Sequence, residues 1–106
     1  MPKYLVEARY TTEGAKGLAR EGGSGRRAAI AKTLESAGGK LEAVYFAFGD
    51  VDVYIIVDLP DNVSAAAVSL AANQTGFLAS KTIVLLTTDE MDQAVKKKID
   101  FRPPGH

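Results

Sequence analysis

The spacing of the apolar residues changes several times along this chain, and the order of those changes is what most constrains its fold. From residue 3 to 10 apolar and polar residues alternate, as in a β-strand, and a helical spacing follows up to residue 38. Two strand-like segments then flank Gly49-Asp50, and a second helical segment precedes a fourth strand. This βαββαβ order predicts an α+β, ferredoxin-like sandwich, with a four-stranded, antiparallel-type mixed sheet and the helices on one face.

Composition narrows the class of protein further. The chain of 106 residues suffices for one domain, which we expect at residues 1–99, with a C-terminal tail at 100–106. Lys and Arg number 13, as do Asp and Glu, so no net charge attracts nucleic acid. The chain has no Cys, and its one His ends the tail, so we expect neither a metal site nor another cofactor. Because no long apolar run is present, we expect a cytoplasmic protein without membrane contact.

The glycine-rich region after the first strand predicts two helical pieces with a loop between them. Thr11–Arg20 suits a short helical turn, which Glu21–Gly25 interrupts as a mobile loop. Ser24 is the expected N-cap of a longer helix that runs to about Ala37 and ends at Gly38-Gly39.

Gly49-Asp50 is typical of a two-residue hairpin connection, which fixes the register of the strands on either side. Opposite residues then lie on the same face, and the face toward the helices is wholly apolar. The pairs that this count predicts are Phe48 with Val51, Ala47 with Asp52, Phe46 with Val53, and Tyr45 with Tyr54.

The second helix is expected to begin after Pro60, with Asp61 or Asn62 as its N-cap. Its apolar residues at helical spacing are Val63, Ala67 and Leu70. Gly76 lies beyond its expected end.

The fourth strand is predicted at about Ser80 to Thr87, and a third helix follows it directly. Thr87-Thr88-Asp89-Glu90 fits a capping box, in which the first and last side chains bond each other's backbone. We expect this helix to turn Met91 and Val95 inward.

The sheet is predicted to have one face without helices. We expect the first and third strands to be central and parallel, with Tyr4, Val6, Ala8 and Tyr10 turned toward the helices. The residues expected on the uncovered face are Leu5, Glu7, Arg9, Tyr45, Asp52, Tyr54 and Ile56. Monomers rarely leave such an apolar surface in water, so a second copy of the chain is the expected cover and the protein is predicted to be a homo-oligomer, most simply a dimer.

Four segments in order carry a resemblance to a known family. They are Tyr10–Gly14, Ala37–Leu41, Gly49–Val53 and Asp58–Asp61. Over residues 3–88 the chain resembles the GYD domain family, whose members are small proteins of the dimeric α+β barrel type without an established activity. The resemblance implies the same fold and pairing here. The family's Gly-x-Tyr-Asp segment falls on Gly49 to Asp52, so that Val51 stands where the family has tyrosine.

The uncovered face supplies a candidate pocket, formed by Glu7, Arg9, Tyr45, Asp52 and Tyr54. Carboxylates beside an arginine and phenols suit a polar small-molecule ligand or the transfer of a proton. The same groups also suit a dimer interface, where Tyr and Arg are common and charges neutralise one another.

Two clusters of basic residues have plainer explanations. Arg26 and Arg27 follow Gly23-Ser24-Gly25 and form a weak candidate anion site, but a phosphate fingerprint would have to follow a strand directly. Lys96 to Lys98 suit the negative end of a helix better than nucleic acid, because no aromatic residues are interleaved with them.

Three functions therefore stay open. The first is a non-enzymatic homo-oligomeric domain that binds a small ligand in a cleft on the sheet face, at the dimer interface. The second is a cofactor-free enzyme of isomerase or oxygenase type acting on a small organic molecule, which depends on analogy of fold alone. The third is a protein-interaction module that uses the glycine-rich segment 21–25 or the edges of the sheet.

Overall fold

A computed structural model describes all residues from 1 to 106 and contains one sheet and three helices. The elements in chain order are β1 (Lys3–Tyr10), α1 (Thr12–Ser36), β2 (Lys40–Phe46), β3 (Val53–Asp58), α2 (Asn62–Asn73), β4 (Leu78–Leu85) and α3 (Thr88–Lys96). The strand order is β2-β3-β1-β4. The predicted α+β, ferredoxin-like arrangement is confirmed.

All neighbouring strands of this sheet run antiparallel. The expectation that the central strands β1 and β3 are parallel was therefore wrong. The helical crossovers explain the error, because each returns the chain to its starting end and makes β2 parallel to β1, and β4 parallel to β3. A strand inserted between the members of each such pair runs against both.

The register predicted for β2 and β3 is confirmed, but the connection between these strands is longer than two residues. Phe46 pairs with Val53 and Tyr45 with Tyr54. The paired strands end at Phe46 and Val53. Beyond this pair one further backbone bond forms, from Ala47 N–H to Asp52 C=O at 2.8 Å. Residues 47–52 form the connection, because the backbone N–H of Asp52 bonds β1 instead, at Ala8 C=O.

Helix α1 consists of two helical pieces, as predicted, but they meet in a kink at Gly22 and not across a loop at residues 21–25. Thr11 is the N-cap of α1, and its hydroxyl accepts a bond from Gly14 N–H. Ser24 lies inside the helix beyond the kink, so the prediction of Ser24 as an N-cap was wrong. Gly22 alone leaves helical geometry, with φ 77° and ψ 167°, and it kinks the helix. Only glycine adopts such a backbone without strain, so one residue absorbs the change of direction and the expected mobile loop at 21–25 does not form.

The end of α1 lies where the sequence predicts it. Gly39 N–H donates to Leu34 C=O at 2.8 Å, and Gly38 N–H donates to Glu35 C=O at 3.0 Å. Gly38 has φ 80°, so this pair of bonds forms a Schellman motif. The motif turns the chain directly into β2.

The core lies between the sheet and helices α1 and α2. Its buried residues are Tyr4, Ala8, Leu34, Val53, Ile55, Val57, Leu59 and Ala65. Val6 and Tyr10 pack against them, which confirms the predicted orientation of β1. The side of β1 and β3 that alternates with these residues therefore carries no helix.

Helix α2 begins as predicted but faces the core with different residues. Asp61 is its N-cap and accepts a bond from Ser64 N–H at 2.8 Å, which holds the pKa of this carboxyl below its ordinary value. Ala65 is buried and Val68 packs on the core, whereas Val63 and Leu70 are exposed. Nearly every position of this helix is apolar or small, so apolar spacing does not mark its inner face.

Helix α3 has the predicted capping box but not the predicted packing. Thr87 N–H donates to Glu90 Oε1 at 2.9 Å, and Glu90 N–H donates to Thr87 Oγ1 at 3.1 Å. Met91 and Val95 do not turn inward, since Val95 is 73% exposed. The radius of gyration of 16.7 Å exceeds the value of about 13 Å for a compact domain of this length. Helix α3 follows the edge strand β4 and makes few contacts with the body of the protein.

Candidate functional site

The helix-free side of the sheet, which we call the open face, carries both apolar and charged side chains. Its apolar members are Leu5, Ala43, Tyr45, Tyr54, Ile56, Ile83 and Leu85. Tyr45 is 71% exposed and Ile83 is 41% exposed. A continuous apolar surface of this kind stays in water in the single chain.

Three of the predicted site residues lie in one row across the open face. The strand register places Tyr45 opposite Tyr54 and Tyr54 opposite Glu7. Directly opposed residues of antiparallel strands have Cβ atoms about 4.5–5.5 Å apart, so neighbouring side chains of the row are within contact distance. Arg9 lies on the same face two residues further along β1, and it is exposed.

The row has a fourth member that sequence reasoning missed. Lys81 of β4 lies opposite Glu7 in the strand register, on the side away from Tyr54, so a basic residue adjoins Glu7 in the row. The alternation of Lys81 with Ala79 and Ile83 was a usable signal, because these three residues share a face. In order across the sheet, the row therefore consists of Tyr45, Tyr54, Glu7 and Lys81.

Asp52 differs from the other predicted members because its carboxylate already has a structural partner. Its Oδ2 accepts a bond from the backbone N–H of Tyr10 at 2.8 Å, where β1 ends. The side chain thus replaces a backbone acceptor and holds the β2–β3 connection against β1. The structure does not place this carboxylate in the row of Tyr45, Tyr54 and Glu7.

A second charged cluster lies at the opposite end of β1 and was also missed. Lys3 Nζ contacts Glu42 Oε1 at 2.7 Å and Asp58 Oδ1 at 2.9 Å. Bonds to Glu42 and then to Asp58 raise the pKa of Lys3 above its ordinary value. Glu42 reaches this position because β2 has a bulge between Leu41 and Ala43. The cluster joins three strands.

The helical side of the sheet contains a cavity of about 340 Å³ between α1, α2 and the strands. Its apolar lining comes from all of these elements and includes Val6, Ile30, Val68, Ala72, Phe77 and Leu78. Six polar residues also belong to the lining, namely Arg26, Thr33, Ser69, Thr75, Ser80 and Thr82. The sequence carries no direct sign of the cavity, because it depends on how far the two helices stand apart.

The two arginines predicted as an anion site are separated by the structure. Arg26 lines the cavity, whereas Arg27 is exposed and does not. Arg26 Nη1 lies 3.5 Å from Glu21 Oε2, and its Nε is buried without a hydrogen-bond partner. Tyr10 also lines this cavity, and burial is the main cause that raises the pKa of its phenol.

Two other kinds of site are not formed. No three His, Cys, Asp or Glu side chains lie together as ligands of a metal ion would. None of the helices combines the length and the apolar character that crossing a membrane requires.

Comparison with known families identifies the domain. A family model described as the GYD domain matches residues 4–95, which takes in nearly all of β1 through α3. The chain belongs to the GYD domain family. The resemblance found in the four sequence segments is thereby confirmed, and it extends through the third helix. A comparison of this GYD domain with curated proteins gives no match.

The segment that gives the family its name has a structural position in this GYD domain. Gly49 to Asp52 belong to the connection between β2 and β3. Asp52, the last of the four, is the residue that bonds the end of β1. This part of the family pattern therefore stabilises the junction of three strands.

Proposed function

We propose that this GYD domain is a homodimer whose two open faces pack together, and that a small organic ligand binds in the cleft between them. The observation that carries the proposal is the uncovered open face. It combines a continuous apolar surface with a row of polar groups that ends in Glu7 and Lys81. The domain is proposed to bind its ligand without a cofactor.

The apolar part of the open face supports the pairing. Ile83 is exposed, and Leu5 and Ile56 are partly exposed. Contact of such apolar surface with water costs about 25 cal/mol per Å². Two sheets packed face to face lie about 10 Å apart, which is close enough for side chains from both to interdigitate. A second copy of the same face removes this surface from water without any further protein.

The polar side chains of the open face support the proposal that a ligand binds between the two copies. Packing two copies buries Glu7, Lys81 and the two tyrosine hydroxyls of each chain, and buried polar groups need hydrogen-bond partners. Arg9 adds a cation at the exposed end of β1. A small molecule with oxygen or nitrogen atoms satisfies such groups where the two protomers leave space. The cofactor-free enzyme and the interaction module, predicted from the sequence as alternatives, gain no specific contact from the structure.

Sedimentation of matched variants tests the pairing. We expect the wild type to sediment at twice the chain mass of 11.2 kDa, and Ile83→Lys, which adds a charge to the open face, to shift it toward the single-chain mass. Val84→Lys is the control, because Val84 is also exposed on β4 but faces the opposite side. A wild type that sediments as a monomer at micromolar concentration contradicts the proposal, as does equal dissociation of both variants.

Native mass spectrometry tests the ligand. The dimer purified without denaturation is expected to carry a small-molecule adduct, which Tyr54→Phe or Arg9→Ala weakens while the dimer persists. Arg27→Ala is the control, since Arg27 does not lie on the open face. A crystal structure in which the partner's side chains fill the interface, together with a dimer mass free of adduct, would remove the ligand from the proposal.

A further inference from the structure

The helical-side cavity is large enough for a ligand of its own. A volume of about 340 Å³ equals roughly eleven water molecules at ~30 Å³ each. It lies at the lower end of the range of about 300–1,000 Å³ that small-molecule sites occupy. An extended molecule of about a dozen non-hydrogen atoms matches this volume.

Because most of the lining is apolar, a molecule that fits this cavity should also be mostly apolar. Aliphatic and aromatic side chains from both helices and all three neighbouring strands surround the space, including Val6, Ile55, Val68 and Phe77. Water binds weakly beside these apolar side chains, because a water molecule needs two to four polar partners. An alkyl chain or an aromatic ring needs none.

One charged side chain in the lining indicates where a polar group of such a molecule would bind. Arg26 is the only charged residue in the lining, and its Nε is buried with no hydrogen-bond partner. Its contact with Glu21 is long, at 3.5 Å, and both side chains are about one-third exposed. A guanidinium group binds a carboxylate through two parallel N–H bonds, which Glu21 does not supply at this distance. The phenol of Tyr10 lines the same cavity and provides a further hydrogen-bond donor.

We propose that this cavity binds a medium-chain carboxylate, with the chain among the apolar side chains and the carboxylate on Arg26. The site is separate from the open face, and the inference does not depend on the dimer or on the ligand proposed there. Arg26 supplies the charge complementarity, and the volume of the cavity limits the length of the chain.

Calorimetry with decanoate and decan-1-ol on the full-length protein tests the charge. We expect decanoate to bind more tightly than the alcohol, and Arg26→Gln to weaken decanoate at least tenfold, since a hydrogen bond to a charged group contributes about 1.5–3 kcal/mol. Binding of the alcohol should change less than twofold. Arg27→Gln, which removes the neighbouring charge outside the cavity, should leave both affinities within twofold of wild type.

A second pair of variants tests the cavity and keeps the proposal falsifiable if Arg26→Gln folds poorly. Ala72→Leu adds a larger side chain to the lining and should weaken both probes at least tenfold. Ala67→Leu makes the same change at an exposed position of α2 that does not line the cavity, and it should weaken neither. Thermal unfolding of each variant shows whether it is folded.

Amide chemical shifts locate the bound probe. Decanoate should shift the resonances of Arg26, Ala72 and Leu78 and leave those of Tyr54 and Ile83 on the open face unchanged. No binding at millimolar decanoate, equal binding of acid and alcohol, or shifts confined to the open face would each overturn the proposal. Filling of the cavity by α3 of a second copy would appear as absence of binding and would overturn it as well.

Discussion

The two sides of the sheet are built from the same strands, yet they differ in what covers them. On the helical side, α1 and α2 enclose a core around Tyr4 and Val57 and leave a cavity beside it. On the open face, Ile56 and Tyr54 alternate with those core residues, and no helix covers them. The alternation along each strand therefore determines which face of the sheet a residue lies on. The positions of the connecting helices determine which of the two faces is buried within the chain.

The polar groups on the two sides of the sheet also differ in their arrangement. On the open face, Glu7 and Lys81 stand in an ordered row with two tyrosines. On the helical side, Arg26 is a single charge beside an apolar space, with one loose partner. The first arrangement is suited to a polar ligand between two chains, and the second to the acidic end of an apolar ligand within one chain.

The largest expected effect contrasts two adjacent residues of β3. Ile55→Ala removes a buried side chain on the helical side and should lower the free energy of unfolding by about 2–5 kcal/mol at any protein concentration. Ile56→Ala acts on the open face, so its cost should grow with protein concentration as the dimer forms. Urea unfolding at several concentrations measures both. An equal and concentration-independent loss would show that the two sides do not differ as described.

The next effect concerns the junction beside the open face. Asp52→Ala leaves the Tyr10 N–H without its acceptor and should cost about 1–3 kcal/mol. Asp52→Asn keeps a side-chain oxygen and should restore most of this loss. Equal destabilisation by both substitutions, measured by urea unfolding, would argue that the charge of Asp52 matters rather than the single bond.

A smaller effect is expected at the kink that sets Glu21 beside Arg26 on the helical side. Gly22→Ala forces an alanine to adopt a positive φ and should destabilise the protein by about 1–2 kcal/mol. Gly17→Ala is the matched control, because Gly17 lies in the helix with open space around a new Cβ, and the change should stabilise by about 0.5–1 kcal/mol. Thermal unfolding distinguishes the two. A neutral Gly22→Ala would mean that α1 straightens without cost.

The smallest effect is a pH dependence at Tyr10 in the lining of the cavity. Burial raises the pKa of Tyr10 above its ordinary value of 10.0, since it favours the neutral phenol. The contribution of this phenol to stability is therefore complete below pH 10.0 and is lost as the pH rises through the folded-state pKa. Ultraviolet titration of phenolate in wild type and Tyr10→Phe should show one step above pH 10.0 that the variant lacks. Identical titration curves of wild type and Tyr10→Phe above pH 10.0 would contradict the raised pKa of Tyr10.

Much of the fold was predictable because its signals act over a few residues. The end of α1 at Gly38, the N-cap at Asp61 and the capping box at Thr87 each depend on bonds within one helical turn. The pairing of Tyr45 with Tyr54 followed from a short connection and the two-residue period of strands. These features held although the connection itself is longer than expected.

The tertiary structure alone decided the features that depend on distant packing. Whether Gly22 begins a loop or makes a single kink, whether Val95 is buried, and which of Arg26 and Arg27 meets a cavity all depend on where whole helices lie. No local pattern encodes the separation of α1 from α2. The sequence by itself determined the elements, their ends and the two sides of the sheet, because these follow from neighbouring residues. Only the folded chain decided the cavity and the exposed surfaces, because these arise between elements far apart along the chain.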